Sequence, residues 1–216
     1  MNLMPLLQSL GHAEYVLRND AYAHLRETPD QIQQFCPLKP EVADLYADIV
    51  DDIRELFPDV ERWHIGADEA RQLGACPQCA AKAEKGGVSA LYVDHVSEIS
   101  QRLHEKGLTP LLWSDMMEHH PEAVDRLPDF ARVVYWNYDM ADWTRPYTEP
   151  TFREKGLDVI AAPAVRYGSI GAELSVYYPT AMRGIEMLIR GTRAHGGEEV
   201  IVTNWMKGSP HESCDY

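Results

Sequence analysis

The stretch Trp63-His64-Ile65-Gly66-Ala67-Asp68-Glu69 is the most informative part of this chain, a short apolar-flanked run that ends in two adjacent carboxylates. Adjacent acids repel each other and resist ionising together, which suits one of them to general acid catalysis near neutral pH. The alternative is an ordinary acidic pair at the start of a helix, where the helix macrodipole favours negative charge. The small and half-polar residues that precede the acids favour the floor of a pocket.

Short apolar runs alternate with amphipathic segments on both sides of this stretch. Strands are predicted at residues 3–7, 62–66, 109–113, 132–136, 158–162 and 199–203, and helices at 41–57, 88–106, 120–127, 148–155 and 180–195. The helices show apolar residues at a 3.6-residue spacing, and proline or glycine bounds most of them. Six strand-then-helix units with nearly continuous apolar strands indicate a parallel sheet that is covered by helices.

Two architectures fit this pattern, a doubly wound open sheet and a (β/α)8 TIM-type barrel. Side chains suited to chemistry follow nearly every strand: His12, Asp68, Glu69, Trp113, Asp115, Trp136, Tyr138 and Trp205. A barrel collects all its strand ends around one pocket, whereas an open sheet uses mainly its switch point. No Gly-x-Gly-x-x-Gly or Walker-type loop follows the first strand. The sequence therefore predicts a barrel of the α/β class, as one domain over residues 1–216.

The charge balance restricts the class of partner. The chain has 34 acidic and 20 basic residues and a formal net charge of −14, which disfavours nucleic acid and anionic membranes by repulsion. A neutral ligand is compatible with this charge. No apolar run of transmembrane length is present, and the first residues lack the basic region and cleavage site of a signal peptide. We therefore expect a cytoplasmic protein with neither a membrane nor a nucleic-acid partner.

The cysteines give a weaker signal. Cys76-Pro77-Gln78-Cys79 has suggestive spacing, while Cys36 and Cys214 stand alone. A structural zinc site is expected to show a second pair at short spacing, and the thioredoxin-like strand context of a redox motif is missing. The sequence therefore predicts two plain thiols in a loop, with a weakly bound metal as the alternative. No catalytic metal and no cofactor are predicted.

Three segments resemble glycoside hydrolase family 20, the β-N-acetylhexosaminidases. Residues 64–69 resemble the family's His-x-Gly-Gly-Asp-Glu signature, with Ala67 at the second glycine. Residues 5–12 are similar to the family's third strand and its Gly-His end, and residues 113–116 to its Trp-Asp-Asp-Met segment, with Ser114 in place of an acid. Residues 11–17 look most like the branch that contains hexosaminidase D.

The resemblance implies an incomplete barrel of about six units. It begins at the family's third strand, so the first two strands and their sugar-binding arginine and acid have no counterpart here. A barrel without two strands exposes two sheet edges, through which the chain is expected to be able to self-associate.

The resemblance also implies retaining hydrolysis of a terminal β-linked N-acetylhexosamine with substrate assistance. Glu69 would be the general acid and base, and Asp68 would orient the acetamido group. Both acids reach one pocket only if the strand bends, which Gly66 makes easier. The partner would be a carbohydrate with a terminal N-acetylhexosamine.

The remaining strand-end residues would bind that sugar. Trp113, Trp136 and Trp205 would enclose the acetamido group, with core packing as the alternative for a tryptophan. Tyr138 would donate to the acetamido oxygen or lie in a loop. The other predicted sugar ligands are His12 and Asp115. Two alternatives to this enzyme remain: a catalytically silent remnant that binds sugar weakly or serves as an interaction fragment, and a glycosidase with Asp115 as nucleophile.

Overall fold

The computed structural model of the chain describes residues 3–138, 140, 146–166 and 178–205. The chain forms two compact units, Met1–Val133 and Val134–Tyr216. The prediction of one domain over the whole length stays a prediction.

The first unit is built on three parallel chain segments. Strand β1 (Arg62–His64) pairs in parallel with β2 (Thr109–Trp113), with His64 opposite Leu111. On the other side of β1, residues 5–9 run parallel to it, because the N–H of Leu7 donates to the carbonyl of His64 at 3.0 Å. The carboxyl ends of these segments therefore lie at the same edge, which is where residues 10–12, 66–69 and 113–115 follow.

Helices cover these strands. The first unit contains α1 (Glu14–Leu17), α2 (Pro40–Leu56), α3 (Pro77–Gly86), α4 (Val88–Glu105) and α5 (Asp115–His119), with 3-10 helices at Asp20–Leu25 and Pro121–Arg126. Pro40 occupies the first turn of α2, where its missing N–H removes no hydrogen bond. The apolar face of α4 is buried, including Val96, Ile99 and Leu103. This burial fixes the helix against the strands.

The second unit contains the later strands. Strand β3 (Arg132–Trp136) crosses the boundary into this unit and is followed by α6 (Glu149–Glu154), β4 (Val159–Ala162), β5 (Ala164–Arg166), α7 (Tyr178–Ala194) and β6 (Thr203–Asn204). Strands β3 and β4 are neighbours in one sheet, while β5 pairs in parallel with β6. Every residue of β4 is buried, as expected for a strand that is covered on both faces.

Most predicted elements are present, and four predictions were wrong in detail. The strand predicted at residues 3–7 is present only as an isolated bridge between Leu6 and His64. The strand predicted at residues 199–203 is reduced to β6 and an isolated bridge between Val200 and Ala161. The helix predicted at residues 120–127 is a 3-10 helix. The Cys76-to-Cys79 segment is the start of α3 and not a loop, because Cys76 caps the helix and Pro77 occupies its first turn. Cys214 lies outside the described residues. Among the described helices, none has the length and hydropathy needed to span a membrane.

Candidate active site

The chain bends sharply between β1 and the acid pair. Gly66 and Ala67 both have a φ of 65°, and Glu69 has a φ of 48°. A Cβ at Gly66 would lie 1.8 Å from Oε1 of Gln8, so a larger residue at this positive φ would be strained and would displace the Gln8 side chain. The same Oε1 accepts a hydrogen bond from the N–H of Ala67 at 3.1 Å. The bend that the acid pair requires is therefore present, and a side chain from the neighbouring segment holds it.

The bend turns both carboxylates toward one histidine. Nε2 of His12 lies 3.3 Å from Oδ2 of Asp68 and 3.4 Å from Oε2 of Glu69. Side-chain exposure is 18% for Asp68, 34% for Glu69 and 42% for His12, so all three remain within reach of a ligand from solvent. Adjacent residues of a regular strand would face opposite ways. Here they face the same point.

The two carboxylates set the charge of His12. Hydrogen bonds to Asp68 and then to Glu69 raise the pKa of His12 from 6.5 to about 10, against the opposing effect of partial burial. The imidazole is therefore protonated at neutral pH. A positive charge between two adjacent acids offsets the repulsion that would otherwise separate them.

Three further side chains contact this group, which we call the carboxylate cluster (His12, Asp68 and Glu69). Nε2 of Gln8 donates to Oδ1 of Asp68 at 2.9 Å. Buried Asp115, in the first turn of α5, accepts the N–H of Glu69 at Oδ2 at 2.9 Å. Nη2 of Arg71 lies 2.8 Å from Oε1 of Glu69, but Arg71 is 77% exposed and this ion pair is screened by solvent.

A neutral histidine lies beneath the bend. His64 is buried, and burial lowers its pKa to about 3. Its Nδ1 accepts the N–H of Gly66 at 3.0 Å, which places the proton on Nε2. The ring of Trp113 packs on His64 with centroids 4.3 Å apart. His64 is therefore a packed, hydrogen-bonded residue, and it joins the ends of β1 and β2.

The second unit holds the other predicted aromatic residues, which we call the aromatic cluster (Trp136, Tyr138 and Trp205). The rings of Trp136 and Tyr138 have centroids 5.1 Å apart and are tilted by 34°. Nε1 of Trp205, directly after β6, donates to the hydroxyl of Tyr138 at 2.6 Å. Residues at the ends of β3 and β6 therefore meet.

The structure thus places the predicted residues in two groups, one in each unit, with Trp113 buried behind the first. Gln8 and Arg71 were missed by the sequence analysis. The signal for Gln8 was a lone amide in the apolar run before Gly11-His12, and Arg71 was a basic residue two positions after Glu69.

Acids gathered at the carboxyl ends of parallel strands, on an α/β framework, are typical of (β/α)8-barrel proteins, which carry their reaction or binding sites at that face. The sequence model for the glycosyl hydrolase family 20 catalytic domain matches residues 12–185. This match extends over more than half of the chain, so the chain belongs to glycosyl hydrolase family 20.

Individual relatives agree with this assignment. Hexosaminidase D of Homo sapiens is 26% identical over 226 residues, a match that covers 96% of this chain and 45% of the relative. Hexosaminidase D of Bos taurus is 28% identical over 185 residues, with 82% of this chain and 54% of the relative covered. The chain therefore spans about half the length of these curated relatives.

A solved structure supports the fold. The crystal structure of a β-N-acetylhexosaminidase from Bacteroides fragilis aligns with a TM-score of 0.58 at 21% identity, over 75% of this chain and 32% of that one. The family 20 structures are TIM barrels, and the described residues form part of such a barrel. The predicted fold class and the family resemblance are both confirmed.

Proposed function

We propose that this chain is a glycoside hydrolase that removes terminal β-linked N-acetylhexosamine with retention of configuration. The observation that carries the proposal is the convergence of Asp68 and Glu69 on Nε2 of His12 at 3.3 and 3.4 Å. A substrate-assisted glycosidase needs two acids at one point, with one acting on the leaving oxygen and the other on the acetamido group. Family membership supports the same substrate class.

In the proposed first step, Glu69 protonates the glycosidic oxygen as the bond to the anomeric carbon breaks. The acetamido oxygen of the substrate attacks that carbon and forms an oxazolinium-like intermediate. Asp68 accepts the acetamido N–H and stabilises the positive charge that develops there. In the second step, Glu69 takes a proton from water, and the water oxygen bonds to the anomeric carbon as the bond from the acetamido oxygen breaks and the oxazolinium ring opens. Glu69 thus regains the proton that it gave to the leaving group in the first step.

The remaining predicted residues are proposed to hold the sugar. His12 would exchange one of its carboxylate contacts for a sugar hydroxyl, and Asp115 would keep the backbone of Glu69 in place. That Trp136, Tyr138 and Trp205 bind the acetamido methyl group stays an expectation from the family resemblance, whereas Trp113 is 3% exposed and packs on His64. Replacement of Trp136 by alanine is then expected to raise KM more than a substitution outside the site.

The test measures the release of nitrophenol from nitrophenyl N-acetyl-β-D-glucosaminide by the purified chain and by its Glu69→Gln variant. Loss of the proton donor should lower kcat by at least about 10²-fold. Asp68→Asn should lower kcat by about 10²-fold or more, because an amide cannot stabilise the developing charge. Glu105→Gln, the same change at the end of α4, is the control and should leave turnover unchanged.

A second candidate is a sugar-binding remnant without turnover. Titration calorimetry with a non-hydrolysable N-acetylhexosamine analogue separates the two. Binding by a folded chain that releases no nitrophenol would support the remnant and contradict the hydrolase, whereas turnover that is lost in Glu69→Gln would exclude the remnant.

A further inference from the structure

A second cluster of titratable side chains lies in the first unit and takes no part in the chemistry proposed above. One ligand atom from each of its four members, Glu27, Cys36, Cys76 and Cys79, lies within 4.8 Å of every other. We call it the thiol cluster. Glu27 is 1% exposed, and Cys36 and Cys79 are fully buried. The three thiols are free and form no disulfide.

Two separate pieces of backbone bring these residues together. Residues 26–35 form a short antiparallel ribbon, with Arg26 bridged to Phe35. Glu27 comes directly after Arg26 and Cys36 directly after Phe35. The N–H of Cys36 donates to the carbonyl of Leu25 at 2.8 Å. The other two ligands lie in the first turn of α3, a helix of 10 residues with Cys76 as its N-cap.

The sulfur separations match a tetrahedral metal site. Sγ of Cys36 lies 3.8 Å from Sγ of Cys76 and 3.6 Å from Sγ of Cys79. Zn–S bonds of about 2.3 Å in a tetrahedron place two sulfurs about 3.8 Å apart. Oε2 of Glu27 is 3.3 Å from Sγ of Cys79, which is close to the edge that one oxygen and one sulfur ligand would share.

Backbone N–H groups point toward the thiol cluster, while burial raises the pKa of Cys36 and of Cys79, so these thiols are protonated at neutral pH when no cation is bound. The N–H of Cys79 donates to Sγ of Cys76 at 3.3 Å, and the N–H of Cys76 donates to Oε1 of Glu27 at 3.1 Å. The N–H of Leu38 hydrogen-bonds Cys36. These donors and the N-terminus of α3 favour negative charge.

The thiol cluster is also shielded from water. Leu38, Leu73 and Leu91 pack around the sulfurs. A buried carboxylate and buried thiolates are costly in such an apolar setting unless a cation pairs with them. A divalent cation would supply that pairing.

We propose that Glu27, Cys36, Cys76 and Cys79 bind one Zn²⁺ in a closed, four-ligand structural site. Three thiols fit a soft or borderline cation and exclude Mg²⁺ and Ca²⁺, which take oxygen ligands. Binding releases the three thiol protons to solvent and changes no oxidation state. All four positions are filled by the protein, so no site is left for substrate or water, and the role is structural.

The metal site would connect the two segments that carry His12 and the Asp68-Glu69 pair. The ribbon contacts the end of the first strand segment, where the N–H of Ala13 donates to the carbonyl of Gln33 at 2.9 Å. It also contacts the segment after Glu69, because Oε1 of Gln34 accepts the N–H of Gln72 at 2.8 Å. A metal that joins the ribbon to α3 would therefore restrict the segment between Glu69 and Cys76.

The test measures metal directly and is independent of turnover. The purified chain is analysed for zinc by mass spectrometry, then stripped with a chelator and titrated with Zn²⁺ against a chromophoric competitor. We expect about one zinc per chain and about three protons released per zinc bound. Replacement of zinc with Co²⁺ should produce thiolate-to-cobalt charge-transfer absorption.

Variants then locate the ligands. Cys36→Ser and Cys79→Ser should lower the zinc affinity by at least about 10-fold, and Glu27→Gln should lower it while keeping the thiolate absorption of the cobalt form. Cys214→Ser is the matched cysteine control and should keep full stoichiometry. A wild-type chain that stays metal-free at saturating Zn²⁺, or that forms a Cys36–Cys79 disulfide in place of binding, would overturn the proposal. These readouts hold whether or not the chain hydrolyses a glycoside.

Discussion

At His12, one imidazole nitrogen faces two carboxylates, and the charge of the whole acid group depends on it. Its pKa is raised from 6.5 to about 10 by Asp68 and Glu69. The folded state therefore binds the proton more tightly than the unfolded chain does. The stabilising contribution is complete below pH 6.5 and is lost as the pH rises through about 10.

The first prediction concerns this histidine. His12→Gln should lower the free energy of unfolding relative to wild type at about pH 6, and the difference should shrink toward about pH 10. Urea unfolding of both proteins across this range measures it, and comparison at each pH cancels the titration of other groups. A difference that grows with pH would show that His12 is neutral in the folded chain.

Ala67 stands where the family signature has glycine, and the structure gives the reason for that glycine. Its φ of 65° lies in the left-handed region, which costs a residue with a Cβ about 1–2 kcal/mol. Ala67→Gly removes this strain but gives up a buried methyl group worth about 0.8 kcal/mol. The difference between these two effects predicts that Ala67→Gly raises the unfolding free energy by about 0.2–1.2 kcal/mol.

A β-branched residue at position 67 should lower the free energy of unfolding. Ala67→Val should cost more than about 2 kcal/mol, because a β-branched side chain is a conformational outlier at positive φ and the site is fully buried. The midpoint and slope of urea unfolding measure both variants. A valine that is tolerated as well as glycine would contradict the left-handed geometry.

At the scale of residues, the sequence indicated the acid pair but not the side chains that hydrogen-bond it. The Asp68-Glu69 pair and His12 could be predicted, because each follows an apolar run. The tie between Gln8 and Asp68 could not be predicted, because it joins residues 60 positions apart and depends on the exact rotation of the bend. The same holds for Cys36, which appears isolated in the sequence and meets Cys79 only through the ribbon at residues 26–35.

At the scale of elements, the ends of neighbouring segments are locked together by a close backbone approach. A Cβ at Gly11 would lie 2.3 Å from the carbonyl oxygen of Asp68. A backbone atom cannot move aside as the tip of a flexible side chain does. The spacing between the first strand segment and the end of β1 is therefore set by this glycine.

Gly11→Ala should accordingly displace Asp68 and lower kcat by about 10-fold to 10²-fold, because catalysis is sensitive to displacements of about 1 Å. Initial rates with the nitrophenyl substrate measure it. Gly184→Ala, inside α7, is the control: its Cβ would meet its nearest neighbour at 3.7 Å, so turnover should be unchanged and the helix more stable by up to about 1 kcal/mol. Full activity of the Gly11 variant would contradict the backbone lock.

Elements with strong periodicity were predicted almost to the residue, as α2 and α4 show. Their large apolar residues recur on one face, so local pattern and tertiary packing agree. Helix α3 was missed because its only buried residue is Cys79, which leaves no apolar face to detect. The strand at residues 199–203 was overestimated, because its apolar run does not fix where pairing with a neighbour ends.

At the scale of the whole molecule, charge and an exposed sheet edge act in opposite directions. The net charge of −14 repels a second copy. Residues 5–9 pair with β1 along one side. Among the described residues, no strand pairs with the other side of residues 5–9. Leu6 of this segment is 43% exposed, and Leu3, which precedes the segment, is 45% exposed. An apolar edge of this kind is a template for pairing between chains.

We therefore expect association that strengthens as salt screens the repulsion between copies. Sedimentation velocity across a range of concentrations, at low and high ionic strength, measures it. Leu6→Lys should suppress association, because an edge lysine would have to be buried against a neighbouring chain. Leu56→Lys, at a leucine that is 75% exposed at the end of α2, adds the same charge away from the edge and should leave association nearly unchanged. Equal effects of the two lysines would show that net charge, and not the edge, governs association.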